Sequence, residues 1–119
     1  MSDTQTLDQA LNDAILGGDI LGAFETYYAD DVVMVEPGGN RREGKAVNRE
    51  YEAQFVESVQ DFHGAEVVAS AVAGDVSFSE WTMDITFRDG NRKTLEQVAV
   101  RRWQDGRVVQ ERFYYDTAG

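Results

Sequence analysis

The chain has 119 residues, with 22 acidic against 11 basic side chains and a net charge of −11. That field repels nucleic acid and anionic membrane surfaces, and no basic stripe offsets it. With no cysteine, disulfides, thiolate nucleophiles and cysteine-held metals are excluded, and the single His63 cannot build a multi-histidine metal site.

A hydrophobic share of 42% is enough for one core, so one domain over 1–119 is expected, with 1–5 and 117–119 flexible. No basic-then-apolar leader is present. No apolar run approaches the ~18 residues of a membrane span, and a cytoplasmic protein is the plain expectation.

Leu7, Leu11, Ala14 and Ile15 mark one face of a first helix. Gly17-Gly18 stops it, and Asp19 is a good N-cap for the next. Ile20, Leu21, Phe24, Tyr27 and Tyr28 form a second amphipathic stripe. A short apolar strand, Val32 to Glu36, runs into the Pro37-Gly38-Gly39 turn. Glu36 shares a face with Val32 and Met34 by two-residue alternation. A carboxylate at the tip of an apolar face must find a partner, find water or take up a proton, which is how a general base arises. The apolar neighbours favour a raised pKa at Glu36. The alternative is a hydrated rim carboxylate.

Asn40 to Glu43 reads as a polar connection. Val47, Tyr51 and Phe55 at four-residue steps predict a third helix over about Lys45 to Val59. Beyond Asp61 the period changes to two. The spacing predicts strands at Ala65–Ala73, Val76–Phe87, Lys93–Trp103 and Val108–Tyr115, joined at Gly74-Asp75, Asp89-Gly90 and Asp105-Gly106. His63 fits a surface or strand-pairing position.

A two-residue turn at Asp89-Gly90 puts Thr82 and Asp84 on the face of Gln97. It leaves Trp81, Met83, Ile85 and Phe87 outside, as an apolar patch with Val98 and Val100 that suits a homodimer. A three-residue loop or a bulge reverses the two faces. Arg101 and Glu111 come to neighbouring strands across the last hairpin. They form either a polar dyad at a pocket floor or a structural ion pair. Gly38-Gly39 leads into no phosphate-binding loop, and Ser70, Ser77 and Ser79 have no histidine for a triad. Helices first, then a meander of long strands, mean α+β, with one curved antiparallel sheet around three helices and about five to six strands.

This layout resembles the nuclear transport factor 2-like superfamily, and within it the SnoaL-like and ketosteroid-isomerase-like proteins. The carriers are Gly18-Asp19, Tyr28-Ala29-Asp30-Asp31, Glu36-Pro37, Gly44, Arg49-Glu50-Tyr51, Asp89-Gly90, Asp105-Gly106-Arg107 and Phe113-Tyr114-Tyr115-Asp116. The resemblance spans about Leu7 to Asp116. It implies a cone around a pocket, commonly in a dimer. It places the isomerase base at Glu36, but its two oxyanion donors fall on Leu11 and Ala99, which donate nothing. Authentic ketosteroid isomerisation is therefore not expected.

The resemblance also turns Tyr51, Gln97, Phe113 and Tyr115 inward, with Tyr28 and Trp103 as further ligand contacts. Limonene epoxide hydrolase-like relatives use an Asp-Arg-Asp array, and here Trp103 stands where the acid after Arg101 is expected. The implied function is binding of a small, partly apolar molecule, with no metal or nucleotide cofactor. Any catalysis would be isomerase-, cyclase- or lyase-type proton transfer with Glu36 as base, Arg101 and Tyr51 as donors and Glu111 as a second acid/base. The alternatives are a non-catalytic carrier or accessory protein, or an epoxide-hydrolase-like hydrolase.

Overall fold

The computed structural model describes residues 3–115, so the tail at 117–119 lies outside the described residues. Helix α1 (Asp3–Leu16) starts inside the segment read as flexible and turns Asp8, Leu11 and Asn12 inward. Helix α2 (Ile20–Tyr27) is capped by Asp19, whose Oδ1 accepts from the Gly22 amide at 3.0 Å. That cap satisfies one of the amides that a helix start leaves without a partner. Strand β1 (Tyr28–Val35) takes over directly at Tyr28.

The polar connection holds a short strand, β2 (Arg41–Glu43), antiparallel to β1 with Met34 opposite Arg42. Helix α3 (Lys45–Ser58) leads into β3 (Val59–Ala73), which begins six residues before the predicted strand. His63 lies in that added stretch and its Nε2 meets Thr86 Oγ1 at 2.7 Å, a strand-pairing contact. Strands β4 (Val76–Phe87), β5 (Arg92–Gln104) and β6 (Arg107–Tyr114) complete the meander.

The six strands form one sheet in the order β2-β1-β6-β5-β4-β3. The sheet is mixed rather than wholly antiparallel, because β1 and β6 run parallel. No hairpin constrains that pair, since β2 to β5 all lie between them in the chain. The fold is the α+β cone of the nuclear transport factor 2-like proteins, with three helices against the concave face.

Two hairpins set what faces the helices. Gln104 pairs with Arg107, so Asp105-Gly106 is a two-residue turn with φ of 52° and 79°. Both residues are left-handed, as the hairpin twist requires. At the other end Thr86 pairs with Arg92, and the Phe87 amide donates to the Asn91 carbonyl at 2.8 Å. The loop there is the three residues Arg88-Asp89-Gly90, not two. The extra residue reverses every face of β4. Trp81, opposite Gln97, and Ile85 are therefore inside and buried, and Thr82 and Asp84 are outside. The apolar patch built from Trp81, Met83 and Ile85 does not exist on the outer face.

The core joins α1, α2, β1 and the last hairpin through Leu11, Phe24, Tyr28, Val32, Trp103 and Val108. Phe24 stacks on Tyr28 with centroids 4.6 Å apart. Full burial of each large side chain here contributes about 1.5–3 kcal/mol, which anchors α2 over one end of the cone.

Candidate functional site

Between the helices and the concave face lies a cavity of about 450 Å³. Leu11, Phe24, Phe55, Trp81, Met83 and Phe113 supply apolar wall. A pocket of this size and lining is the ordinary setting for a small-molecule site. Leu11 and Ala99, the positions matched to oxyanion donors, both line it and present no hydrogen-bond donor from their side chains.

At its deep end is a buried polar array. Arg101 on β5 lies opposite Glu111 on β6, and its Nε donates to Glu111 Oε2 at 2.8 Å. Its Nη1 donates to Asp8 Oδ1 at 2.8 Å and to Asn12 Oδ1 at 2.6 Å, both on α1. The Tyr28 hydroxyl donates to the other Glu111 oxygen at 2.6 Å. Ser77 Oγ donates to Asp8 at 2.7 Å and accepts from the Trp103 indole at 3.0 Å. Arg101, Glu111 and Asp8 are all at most 3% exposed, so each charge needs its partner.

Burial, then the neighbouring Glu111 charge, holds the Tyr28 hydroxyl well above its ordinary pKa, so it stays a donor. Burial alone would lower the pKa of Arg101, but Tyr28, Glu111 and Asp8 outweigh it and hold the guanidinium charged. Asp8 fills the second acid place that Trp103 leaves empty in the strand pattern. It reaches Arg101 from α1, however, and does not line the cavity.

At the mouth, Glu36 is held from two sides. Arg42 Nη2 donates to its Oε2 at 2.8 Å and the Tyr115 hydroxyl donates to its Oε1 at 2.7 Å. Arg42 also lies 3.6 Å over the Tyr51 ring and donates from Nε to Asn48 Oδ1. Fully buried Asn48 in turn donates to the Gly44 and Arg42 carbonyls, which fixes α3 against β2. Desolvation and the bond to Glu36 push the Tyr115 hydroxyl up to about 12.

Tyr28, Arg101 and Glu111 therefore meet at the deep end, while Glu36, Tyr51 and Tyr115 meet at the mouth. Gln97 and Phe113 also line the cavity. Trp103 does not: it is 4% exposed, packs in the core beside α1 and spends its indole N–H on Ser77. Its place as a ligand contact is corrected on that ground.

Glu52 escaped the sequence pattern. It lines the cavity from α3 and makes no hydrogen bond or ion pair among the described residues. Burial first, then the charges of Glu111 and Glu36, push its carboxyl up to about 7 against the opposing pull of Arg42. The signal was the inward face of α3. Val47 and Tyr51 are 54% and 44% exposed, and the buried residue is Asn48, four positions before Glu52. An Asn48, Glu52, Phe55 stripe is polar enough to be passed over for the apolar one.

The SnoaL-like domain family matches residues 14–115. The chain belongs to that SnoaL-like family. Among curated proteins none matches the sequence. A protein of Mesorhizobium loti that carries the name of a SnoaL-like polyketide cyclase is 28% identical over 93% of this chain and 97% of its own, with a TM-score of 0.81. An NTF2-like protein of Burkholderia pseudomallei, of unknown function, is 21% identical over 99% and 94%, with a TM-score of 0.84. An LEH-like epoxide hydrolase of Mycobacterium tuberculosis is 19% identical over 95% and 82%, with a TM-score of 0.77. The last two likenesses concern the fold alone.

Proposed function

We propose that this SnoaL-like protein binds a small, partly apolar molecule in the cone and moves a proton on it, in isomerase-, cyclase- or lyase-type chemistry. The observation that carries the proposal is Glu52, a cavity carboxyl without a partner whose pKa of about 7 suits an acid/base working at neutral pH. Glu36 has both oxygens engaged and serves as a positioned acceptor at the mouth. Tyr115 and Tyr51 stand beside it as donors. Arg101 and Glu111 give the deep end a fixed dipole.

The test uses a generic carbon acid. 5-Nitrobenzisoxazole loses a proton to a desolvated carboxylate, opens its ring and releases a coloured phenolate. The protein should give saturable turnover, rising with pH through a midpoint of about 7 to a plateau and lost in Glu52→Gln. Turnover no faster than with acetate in solution, or unchanged in Glu52→Gln, would refute the proposal.

Epoxide hydrolysis is the second reading, favoured by the Asp8–Arg101–Glu111 array. It ranks lower because Asp8 lies behind Arg101, so only one carboxyl of the array meets the cavity. Opening of styrene oxide, abolished by Glu111→Gln, would move it to first place. A homodimer through the outer sheet face is also proposed. Exposed Phe78 and Tyr114 lie there with half-buried Val98 and Val100, replacing the patch that the β4 register removes.

A further inference from the structure

The charge inside the cavity is unbalanced. Among the described residues Glu36, Glu52, Glu96 and Glu111 line it, against the single guanidinium of Arg101. That guanidinium is already shared by Glu111 and Asp8, each at 2.8 Å. Arg42, the nearest other cation, lies against Glu36 at 2.8 Å and does not line the cavity. Glu36, Glu111 and Asp8 each meet a guanidinium, whereas Glu52 meets none among the described residues. The walls around it are aromatic: Phe24, Tyr28, Phe55, Trp81, Phe113 and Tyr115 present ring surface to the same space. Aromatic faces attract a cation through their quadrupole, most strongly where water is excluded. An anionic ligand would meet a surplus of negative charge and no free donor cation.

We propose that the cavity is built for an organic ammonium ion, a small apolar amine or quaternary ammonium compound. Its charge replaces the missing partner of Glu52, and its carbon skeleton packs on the aromatic wall. The proposal rests on the cavity being the ligand site, as above, but not on catalysis there.

Binding is linked to protons. The groups facing Glu52 are Glu36 past the end of β1, Arg42 on β2, Glu111 on β6 and Tyr51 on α3, with Arg101 on β5, Tyr28 and Tyr115 deeper or at the mouth. Glu96 of β5, paired with outward Thr82, also borders the cavity. A cation selects the ionised form of Glu52, so binding below about pH 7 expels one proton. With a carboxyl titrating near 7, affinity for a fixed cation should fall roughly 100-fold from pH 8 to pH 5.

Isothermal titration calorimetry with three matched probes decides. Benzyltrimethylammonium carries a charge that no pH change removes, N-benzylacetamide is neutral and phenylacetate is anionic. The expected result at about pH 8 is tightest binding of the cation, weaker binding of the neutral probe and none of the anion. The cation's affinity should show the pH dependence above, with proton release visible as a heat that changes with buffer. Glu52→Gln should flatten that dependence, its fold checked by near-ultraviolet circular dichroism, and Glu52→Asp should restore part of it. A neutral probe that binds as tightly as the cation, or an anion that binds more tightly, would overturn the ammonium proposal while leaving the cavity a ligand site. Failure of all three probes would overturn both.

Discussion

Replacing Arg101 by Met removes the only cation from a site that holds two carboxylates. The guanidinium is 2% exposed and makes three hydrogen bonds of 2.6–2.8 Å, to Glu111, Asp8 and Asn12. Taking one partner from a buried ion pair costs about 3–5 kcal/mol, because the remaining charge is left in low dielectric. Here two charges are left, so the upper half of that range is expected near pH 7, against a total stability of about 5–15 kcal/mol for a domain of this size. The melting temperature should drop by about 10–20 °C.

The loss should also depend on pH. Without Arg101, Asp8 and Glu111 are buried charges with no cation beside them, and taking up protons at low pH removes that uncompensated charge. Stability of the variant is then present at low pH and lost as pH rises, and its deficit should be smaller at about pH 5 than at about pH 8. Urea unfolding read by the fluorescence of Trp81 and Trp103, both buried, measures this directly. A deficit under about 1 kcal/mol with an unchanged urea slope would refute the reasoning, since it would mean that the array is not desolvated.

Three other outcomes are expected. Glu52→Gln should stabilise the protein at about pH 8, by at most about 3 kcal/mol, and by under about 1 kcal/mol at about pH 5: a folded pKa of about 7 against 4.5 makes ionisation a cost that grows as pH rises through that window. Differential scanning calorimetry at the two pH values checks it. Asn48→Ala removes the side-chain hydrogen bonds to the Arg42 and Gly44 carbonyls and frees Arg42, so it should cost about 1–3 kcal/mol by chemical denaturation and loosen Glu36 at the mouth. Phe78→Glu should convert the expected dimer to a monomer in light scattering, whereas a wild-type monomer at micromolar concentration would remove the dimer altogether.

The fold was legible where local chemistry fixes it. Apolar stripes placed α1 and α2, and Asp105-Gly106 fixed the final hairpin because a two-residue left-handed turn needs those residues. Asp89-Gly90 looked the same but sits in a three-residue loop held by the Asn91 amide donating to the Asp89 side chain at 2.9 Å. One residue of difference moved Trp81 from a surface patch into the cavity wall. That β5 and β6 are neighbours was legible from the last hairpin, but its two-residue register alone puts Arg101 opposite Gln110; a register shift between Arg102 and Trp103 brings Glu111 opposite Arg101. Asp8 was not legible, since a lone acid beside Leu11 on an amphipathic helix reads as solvated until the sheet supplies Arg101 and Ser77. Glu52 was hidden for a related reason: the rotation of α3 over the cone is set by Asn48 bonding backbone carbonyls, not by its apolar residues.

Both the proton-transfer role and ammonium capture depend on one cavity carboxyl, Glu52, titrating at about 7. Carbon-detected NMR of the side-chain carboxyls across pH, with Glu52 assigned by its loss in Glu52→Gln, tests this most directly. The predicted midpoint for Glu52 is about 7. A midpoint near the ordinary glutamate value of ~4.3 would contradict the claim, and with it both the proton-transfer role and the pH-linked capture of an ammonium ion.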